Sequence, residues 1–437
     1  MDIKGKNVLV IGAAVTGMPV VIELLKLGAN IILNDFKKEE ELGDIVNQLH
    51  KLNVRTVLGE HPIELAKECD FVVVSPGVPT DIPLVQKAKS LNKEVISEIE
   101  LAYRLTNTPI AAITGTNGKT TTTALLGEII KASGRRTFVT GNIGHPMISE
   151  VSNSKIDDVF VLEVSSFQLE STAKFKPKVS ALLNITPDHL NRHKTMENYI
   201  EAKCRVFINQ DEDDFTILNQ DDALTSKLIN QPKSKVLLFS RIEEINQGAF
   251  VRDNGIYIRI NDKEEFIIDI NDIYIPGKHN LENALAASLI AYCLGVAPEV
   301  ITRVLNEFKG VEHRVEFVEE INGVIYYNDS KGTNTDASIK AIEAMKRPII
   351  LIAGGMDKGS EFDEFVKTFK NKVKALILLG ETADKIEKTA HEYDFLNTHK
   401  VRSLEEAVEK SAEMAADGDC VLLSPACASW DMFKNYE

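Results

Sequence analysis

Hydrophobic residues along this chain fall into short β-branched runs, most of them ending in glycine, separated by stretches of helical period. The clearest are NVLVIG (7–12), FVVVSPG (71–77), IAAITG (110–115), FVLEVSS (160–166), ALLNIT (181–186), PIILIAGG (348–355), ALILLG (375–380) and CVLLSP (420–425). Runs that are apolar on both faces suit strands of parallel sheets covered by helices on each side, so the pattern predicts an α/β protein. From Gly248 to Pro276 the pattern changes to alternation of period two. With Asp253-Asn254-Gly255 as a hairpin turn, this predicts a small antiparallel appendage.

A chain of 437 residues corresponds to about three domains at roughly 150 residues each. The helical pattern breaks near 93 and again near 309, which divides the chain into 1–93, 94–309 and 310–437. Net charge is -15, which argues against nucleic acid as a partner. Any anionic phosphate must then be held locally, by backbone N–H groups, a few cations and metal ions. Five cysteines, scattered and without a C-x-x-C pair, read as reduced thiols packed in cores rather than as a zinc site. The N-terminus runs directly into a strand pattern, and no apolar run approaches the roughly 18 residues that span a bilayer. The expected location is the cytoplasm.

The first section opens with GAAVTG (12–17) between a strand and a helix, and Asp35 ends the next strand. This is the layout of a dinucleotide fingerprint: a tight turn, a helix N-terminus facing a diphosphate and an acid for a ribose. Ala14 stands where the middle glycine would be, so close approach of a pyrophosphate in the NAD manner is disfavoured. A nucleotide-sugar diphosphate bound differently remains open, as does a purely structural turn. SPGVP (75–79) ends a further strand of the same section and could line the same crevice.

The second section carries TGTNGKT (114–120) between a strand and a helix. Its glycines let N–H groups curl around phosphates, Lys119 supplies a mobile cation and the Thr120 hydroxyl can ligate Mg²⁺. The loop is a shortened variant of the usual G-x-x-x-x-G-K-[ST], since Ile113 occupies the first glycine position. Glu163 interrupts an apolar strand, where an unpaired carboxylate is expensive and wants a cation or metal. Asp188 and His189 follow the next strand. Lys203 sits in an amphipathic helix, YIEAKCRVF, where composition alone favours an exposed lysine.

Taken together, TGTNGKTTTT, EVSSFQLE, NITPDH, YIEAK, PGKHNLENALAA, EHR, YNDSKGTN and SPACASWDMFKNYE, in that order over essentially the whole chain, resemble the ATP-dependent Mur ligases of peptidoglycan synthesis. SSFQLE, NDSKGTN and SPACASWDMFKN point to the D-glutamate-adding branch. The resemblance implies a Rossmann-like N-terminal domain, a central P-loop ATPase-like domain with a mostly parallel sheet, and a Rossmann-like C-terminal domain. It implies three small-molecule substrates, ATP, D-glutamate and UDP-N-acetylmuramoyl-L-alanine. The carboxylate of the last would be phosphorylated to an acyl phosphate and then attacked by the amine of D-glutamate.

By the same resemblance, Lys119, His189 and Lys203 carry catalysis, and Gly115, Thr116, Asn117, Gly118, Lys119, Thr120, Thr121, Asn283, Arg314 and Asp329 hold ATP. Arg314 and Asp329 would be supplied by the third domain, which implies that this domain closes over the nucleotide. Two Mg²⁺ ions would be held by Thr120 with Glu163 and by His189 with Lys203, the lysine as a carbamate. The UDP-sugar would meet Val15, Thr16, Asp35, Phe36, Ser75, Asn142, Gln168 and His189, and D-glutamate would meet Thr333, Lys358, Ser429 and Tyr436.

Other readings explain less. A folylpolyglutamate-type ligase leaves SPACASWDMFKN and the nucleotide-like first section without a role. An ATP-driven switch gives no reason for Arg314, Lys331 and Lys358 near strand ends of the third section. A dehydrogenase is opposed by Ala14 and leaves the 115–120 loop idle.

Overall fold

The computed structural model describes residues 1–357 and 359–433. They divide into two compact units, Met1–Asp272 with Glu282–Glu307, and Ile273–Leu281 with the chain from Phe308 onward.

The first unit holds two sheets. In one, β1 (Asn7–Ile11), β2 (Asn30–Asp35), β3 (Arg55–Leu58), β4 (Phe71–Val74) and β5 (Glu94–Ser97) lie in the order β3-β2-β1-β4-β5. All pairings are parallel. Alternate residues of β1 feed opposite cores, Val8 and Val10 on one face and Leu9 and Ile11 on the other. This is the double burial that the apolar run predicts. Strand order reverses between β1 and β4, so the turns after them, at Gly12 and Ser75, flank one crevice. The expected break at 93 falls one residue before β5. Residues 94–97 pair with β4 and extend the first sheet to Ser97.

The second sheet comprises β6 (Ile110–Thr114), β7 (Thr137–Gly141), β8 (Val159–Glu163), β9 (Val179–Leu182), β10 (Phe215–Asn219), β11 (Lys235–Ser240), β12 (Gly248–Arg252), β13 (Gly255–Ile260) and β14 (Lys263–Asp269). Its order is β14-β13-β12-β11-β10-β9-β6-β8-β7. The antiparallel strands are continuous with this sheet rather than separate from it, because β12 pairs parallel with β11 before the chain doubles back. Asp253 and Asn254 both have positive φ, 48° and 61°, as a two-residue hairpin turn demands. Loops after β6, β8 and β9 emerge side by side at the C-terminal edge of three adjacent parallel strands.

Two carboxylates join the sheets of the first unit, both on the helix Glu98–Leu105. Glu100 is fully buried and accepts from the backbone N–H groups of Ala173, Lys174 and Phe175 at 2.8–3.0 Å and from Arg104 Nε at 2.6 Å. Glu98 accepts from Ile148 N at 2.7 Å through Oε1, while Oε2 is buried with no hydrogen-bond partner. Burial therefore pushes its carboxyl up to about 7 from an ordinary 4.5. The folded chain holds this proton to about pH 7 and the unfolded chain releases it near 4.5. Folded protein thus binds more protons across that window, and stability falls as pH rises through it. We expect Glu98→Gln to raise stability at pH 8 by roughly 3 kcal/mol and to leave it unchanged near pH 4, as read from denaturation midpoints. An equal drop at both pH values would contradict this.

The second unit carries β15 (Glu316–Ile321), β16 (Val324–Asn328), β17 (Ile349–Gly354), β18 (Val373–Leu379), β19 (Thr398–Lys400) and β20 (Cys420–Leu423), in the order β15-β16-β20-β17-β18-β19. Only the β15–β16 pairing is antiparallel. Leu351 and Ala353 face one core and Ile350 and Ile352 the other. All five cysteines are free thiols; Cys69, Cys204, Cys420 and Cys427 are buried and Cys293 is half-buried. Burial pushes Cys204 and Cys293 up to about 12 and Cys420 up to about 11. No described helix is long and apolar enough to cross a membrane.

Candidate functional site

The loop Gly115–Gly118 leaves β6 and enters the helix Lys119–Ala132. Gly118 has φ +82°, and a Cβ there would stand 2.4 Å from Asn283 Oδ1, so only glycine fits on both counts. The loop is stitched to the end of β9. Thr116 N donates to Asn184 O at 3.0 Å, Asn117 N to Asn184 Oδ1 at 2.8 Å, and Asn184 Nδ2 back to Asn117 O at 3.0 Å. Thr116 Oγ1 donates to Thr186 O at 3.1 Å and lies 3.2 Å from Tyr199 Oη. Lys119 Nζ arches back to the carbonyls of Gly115 and Thr116, at 2.9 and 2.8 Å. Thr120 and Thr121 begin the same helix, and Thr122 Oγ1 donates to Asn283 Oδ1 at 3.2 Å.

Glu163 ends β8 and is 1% exposed. Its Oε1 accepts from Asn142 Nδ2 at 2.8 Å, whereas Oε2 is buried with no hydrogen-bond partner. A buried carboxylate oxygen left unmatched fits a cation at that point. Among the described residues no group of three or more His, Cys, Asp or Glu could hold a metal by itself. Mg²⁺ has no such requirement, since it is commonly held by one or two carboxylates with phosphate oxygens and waters.

His189 takes the left-handed conformation, φ 54°, just before the short helix Leu190–His193. Its ring lies against Phe167, tilted by 58° with centroids 4.8 Å apart, and its Nε2 lies 3.4 Å from Asp188 Oδ2. Lys203 departs from the exposed position that its helix pattern suggests, because its helix, Met196–Cys204, presents it inward beneath the phosphate loop. It is 2% exposed, donates to Gly115 O at 2.7 Å and lies 4.6 Å from the Tyr199 ring centroid. Burial, reinforced by the charge of Lys119 and opposed by Asp188, holds this amine well below the usual lysine range. Lys119, Thr120, Glu163, His189 and Lys203 are thus positioned by neighbouring loops and by the helix beneath them.

In the first sheet, Asp35 uses both carboxylate oxygens on backbone, accepting from Ala13 N at 2.7 Å and Lys37 N at 2.8 Å. Thr16 Oγ1 donates to Ser75 Oγ at 3.0 Å, and Ser75 Oγ to Gly12 O at 3.1 Å, closing the two turns on each other. Val15 and Phe36 are 76% and 70% exposed, as side chains offered to a ligand would be, and Phe36 has His61 at 5.8 Å between ring centroids. Gln168 is buried, its Oε1 accepting from Ser165 N and Oγ in a capping box.

In the second unit, Arg314 Nε is buried with no hydrogen-bond partner. Asp329 is 1% exposed, accepting from Ser424 Oγ at 2.7 Å and Val315 N at 3.2 Å. Burial pushes its carboxyl up to about 6, against the pull of the Arg314 charge and the Ser424 hydrogen bond. Thr333 and Ser429 lie in loops flanking the same sheet and are half-buried. Lys358 and Tyr436 lie outside the described residues. Sequence reasoning does not single out Asn184 or Tyr199; the one available signal was their place within NITPDH and beside YIEAK.

Fold and loop geometry define a nucleotide-dependent enzyme whose second sheet carries a P-loop. The sequence matches the Mur ligase MurD-like N-terminal domain over residues 6–97, the Mur ligase middle domain over 113–291 and the Mur ligase glutamate ligase domain over 313–427. The chain belongs to the Mur ligase family, whose members form peptide bonds at the expense of ATP in peptidoglycan synthesis. It is 54% identical over 439 residues to UDP-N-acetylmuramoylalanine--D-glutamate ligase of Thermoanaerobacter sp. (strain X514), covering 100% of this chain and 97% of that protein. The same identity and coverage hold for the protein of that name from Clostridioides difficile (strain 630). Among solved structures, MurF of Acinetobacter baumannii has a TM-score of 0.61 at 16% identity, covering 91% of this chain and 88% of that one. The UDP-N-acetylmuramate-alanine ligase MurC of Thermotoga maritima has 0.58 at 18% identity, covering 96% of each. At these identities the structural likeness establishes the fold.

Proposed function

We propose that this chain joins D-glutamate to UDP-N-acetylmuramoyl-L-alanine, through an acyl phosphate formed from ATP, and that it does so in the cytoplasm. One observation carries the chemical reading: the glycine loop with Lys119, the unmatched oxygen of Glu163 and the buried amine of Lys203 meet at one sheet edge. The functional division we propose is 1–93 for the UDP-sugar, 94–309 for ATP and 310–437 for the amino acid.

A carboxylate resists amines at neutral pH, and phosphorylation turns one of its oxygens into a leaving group. The γ-phosphoryl group and the carboxylate are both anionic, so the cleft must supply positive charge where they meet. N–H groups of the loop and of the first helical turn cradle the phosphates, other than those of Thr116 and Asn117, which are bonded to Asn184. Lys119 exchanges its loop carbonyls for the outer phosphate oxygens. Asn283 buttresses the loop, and Arg314 and Asp329 are assigned to ATP. Magnesium, held by Thr120 with Glu163 and by His189 with Lys203, would add charge neutralisation. A carbamate fits Lys203: burial favours the neutral form of its amine, which can add to CO₂, forming a C–N bond and releasing a proton, and this converts the donor into an anionic oxygen ligand. Val15, Thr16, Asp35, Phe36 and Ser75 hold the UDP end, and Asn142, Gln168 and His189 the sugar and peptide arm. Thr333, Lys358, Ser429 and Tyr436 receive D-glutamate.

The test is phosphate release from Mg·ATP with both substrates, with each alone and with L-glutamate plus a dihydrofolate. Release that needs the UDP-sugar and the D-isomer supports the assignment; release only with folate would transfer the chain to that chemistry. Glu163→Gln removes the charge but keeps the bond to Asn142. It is expected to lower turnover about a hundredfold and to raise the Mg²⁺ concentration required, which a metal titration of phosphate release reads directly.

A further inference from the structure

Arg192 is not explained by ATP or metal chemistry, yet its side chain is 17% exposed and bonded through both terminal nitrogens. Its Nη1 donates to Pro76 O at 2.7 Å, and its Nη2 to Glu170 Oε2 at 2.8 Å and Val78 O at 3.4 Å. The guanidinium carbon lies 4.3 Å from the Phe167 ring centroid, and this same ring meets His189, tilted at 4.8 Å, and stacks with His193 at 5.4 Å. Glu170 faces a second imidazole, with His193 Nδ1 at 3.4 Å, and His193 Nε2 lies 2.9 Å from Ser166 Oγ.

These contacts connect two segments far apart in sequence. Pro76 and Val78 follow Ser75, whose hydroxyl closes the β1 and β4 turns through Thr16 and Gly12. His189 is three residues before Arg192, at the opposite end of the same path. A planar fork can reach two carbonyls and a carboxylate while standing over an aromatic ring, which a lysine ammonium, a single point of charge, cannot.

We propose that Arg192 is a positioning residue for the UDP-sugar. It holds the 75–78 turn in register with His189, so that a substrate anchored by its uridine diphosphate at the turn presents its carboxylate at the imidazole. This rests on the function proposed above. Because the Thr16–Ser75–Gly12 bonds do not use Arg192, the turn keeps its shape without it, and what is lost is its alignment.

The test compares a ligand that spans both segments with one that does not. Calorimetric titration of the full chain with UDP and with UDP-N-acetylmuramoyl-L-alanine is carried out for the native protein, Arg192→Met and Arg192→Lys. For Arg192→Met, affinity for the complete UDP-sugar and kcat/KM for it are expected to fall about tenfold or more, with UDP affinity and the KM for ATP unchanged. Arg192→Lys should fall between. Equal weakening of both ligands, or no weakening of either, would overturn the proposal. Failure of the native protein to bind the UDP-sugar would instead remove the function reading, and this inference with it.

Discussion

Lys203→Ala is expected to lower turnover by two to three orders of magnitude, about the cost of removing one charge-stabilising group from a preorganised site. Short carboxylic acids such as formate or acetate should restore part of it. The side chain is buried beneath the phosphate loop, and its amine meets a neutral carbonyl, Gly115 O, and an aromatic face. An ammonium would be costly in such surroundings, whereas a neutral amine open to CO₂ is not. Truncation leaves a space that a small carboxylate can occupy in place of the carbamate, and depletion of CO₂ should depress the native enzyme but not the rescued variant. Near-normal activity of the alanine variant, without rescue, would sink the carbamate assignment and leave Lys203 as a packing residue.

The largest expected effect on stability lies away from the chemistry, at Glu100. Glu100→Leu should destabilise the first unit by about 3–5 kcal/mol, the cost of breaking a buried ion pair from one side. Three N–H groups of residues 173–175 and the guanidinium of Arg104 would lose their acceptor together. Arg104 retains Glu94, at 2.6 and 2.8 Å, which limits the loss to the buried half of the network. Urea unfolding followed by far-UV circular dichroism measures this. A change under about 1 kcal/mol would be that of an exposed ion pair and would contradict the hub role of Glu100.

How much of this was legible beforehand follows from how local each signal is. The strand, glycine loop and helix at 110–132 are encoded within a single stretch, and so was the unusual cost of Glu163 inside an apolar strand. The hairpin at Asp253-Asn254 was readable for the same reason. Lys203 was not, because an inward-facing lysine in a short helix has the same period as an outward-facing one. Only the packing of that helix under residues 115–116 distinguishes them. Arg192 was hidden because its partners lie at 76, 78 and 170. The first sheet's last strand was assigned to the next section because EVIS is four residues long and runs directly into the helix that follows it. Gln168 had a readable local role, the capping box S-x-x-Q, that its assignment as a substrate contact passed over.

The burial of the thiols has a practical consequence. Cysteine reagents attack the thiolate, and here four of the native cysteines are buried and the fifth, Cys293, half-buried, with three of the five held near 11 or 12 in pKa. A single cysteine introduced at an exposed position such as Val15, in the turn beside the crevice, would be labelled in seconds while the native five react only as the chain opens. One protein would then offer two clocks: a fluorophore reporting ligand arrival at the first sheet, and slow modification of the interior thiols reporting how often each unit unfolds.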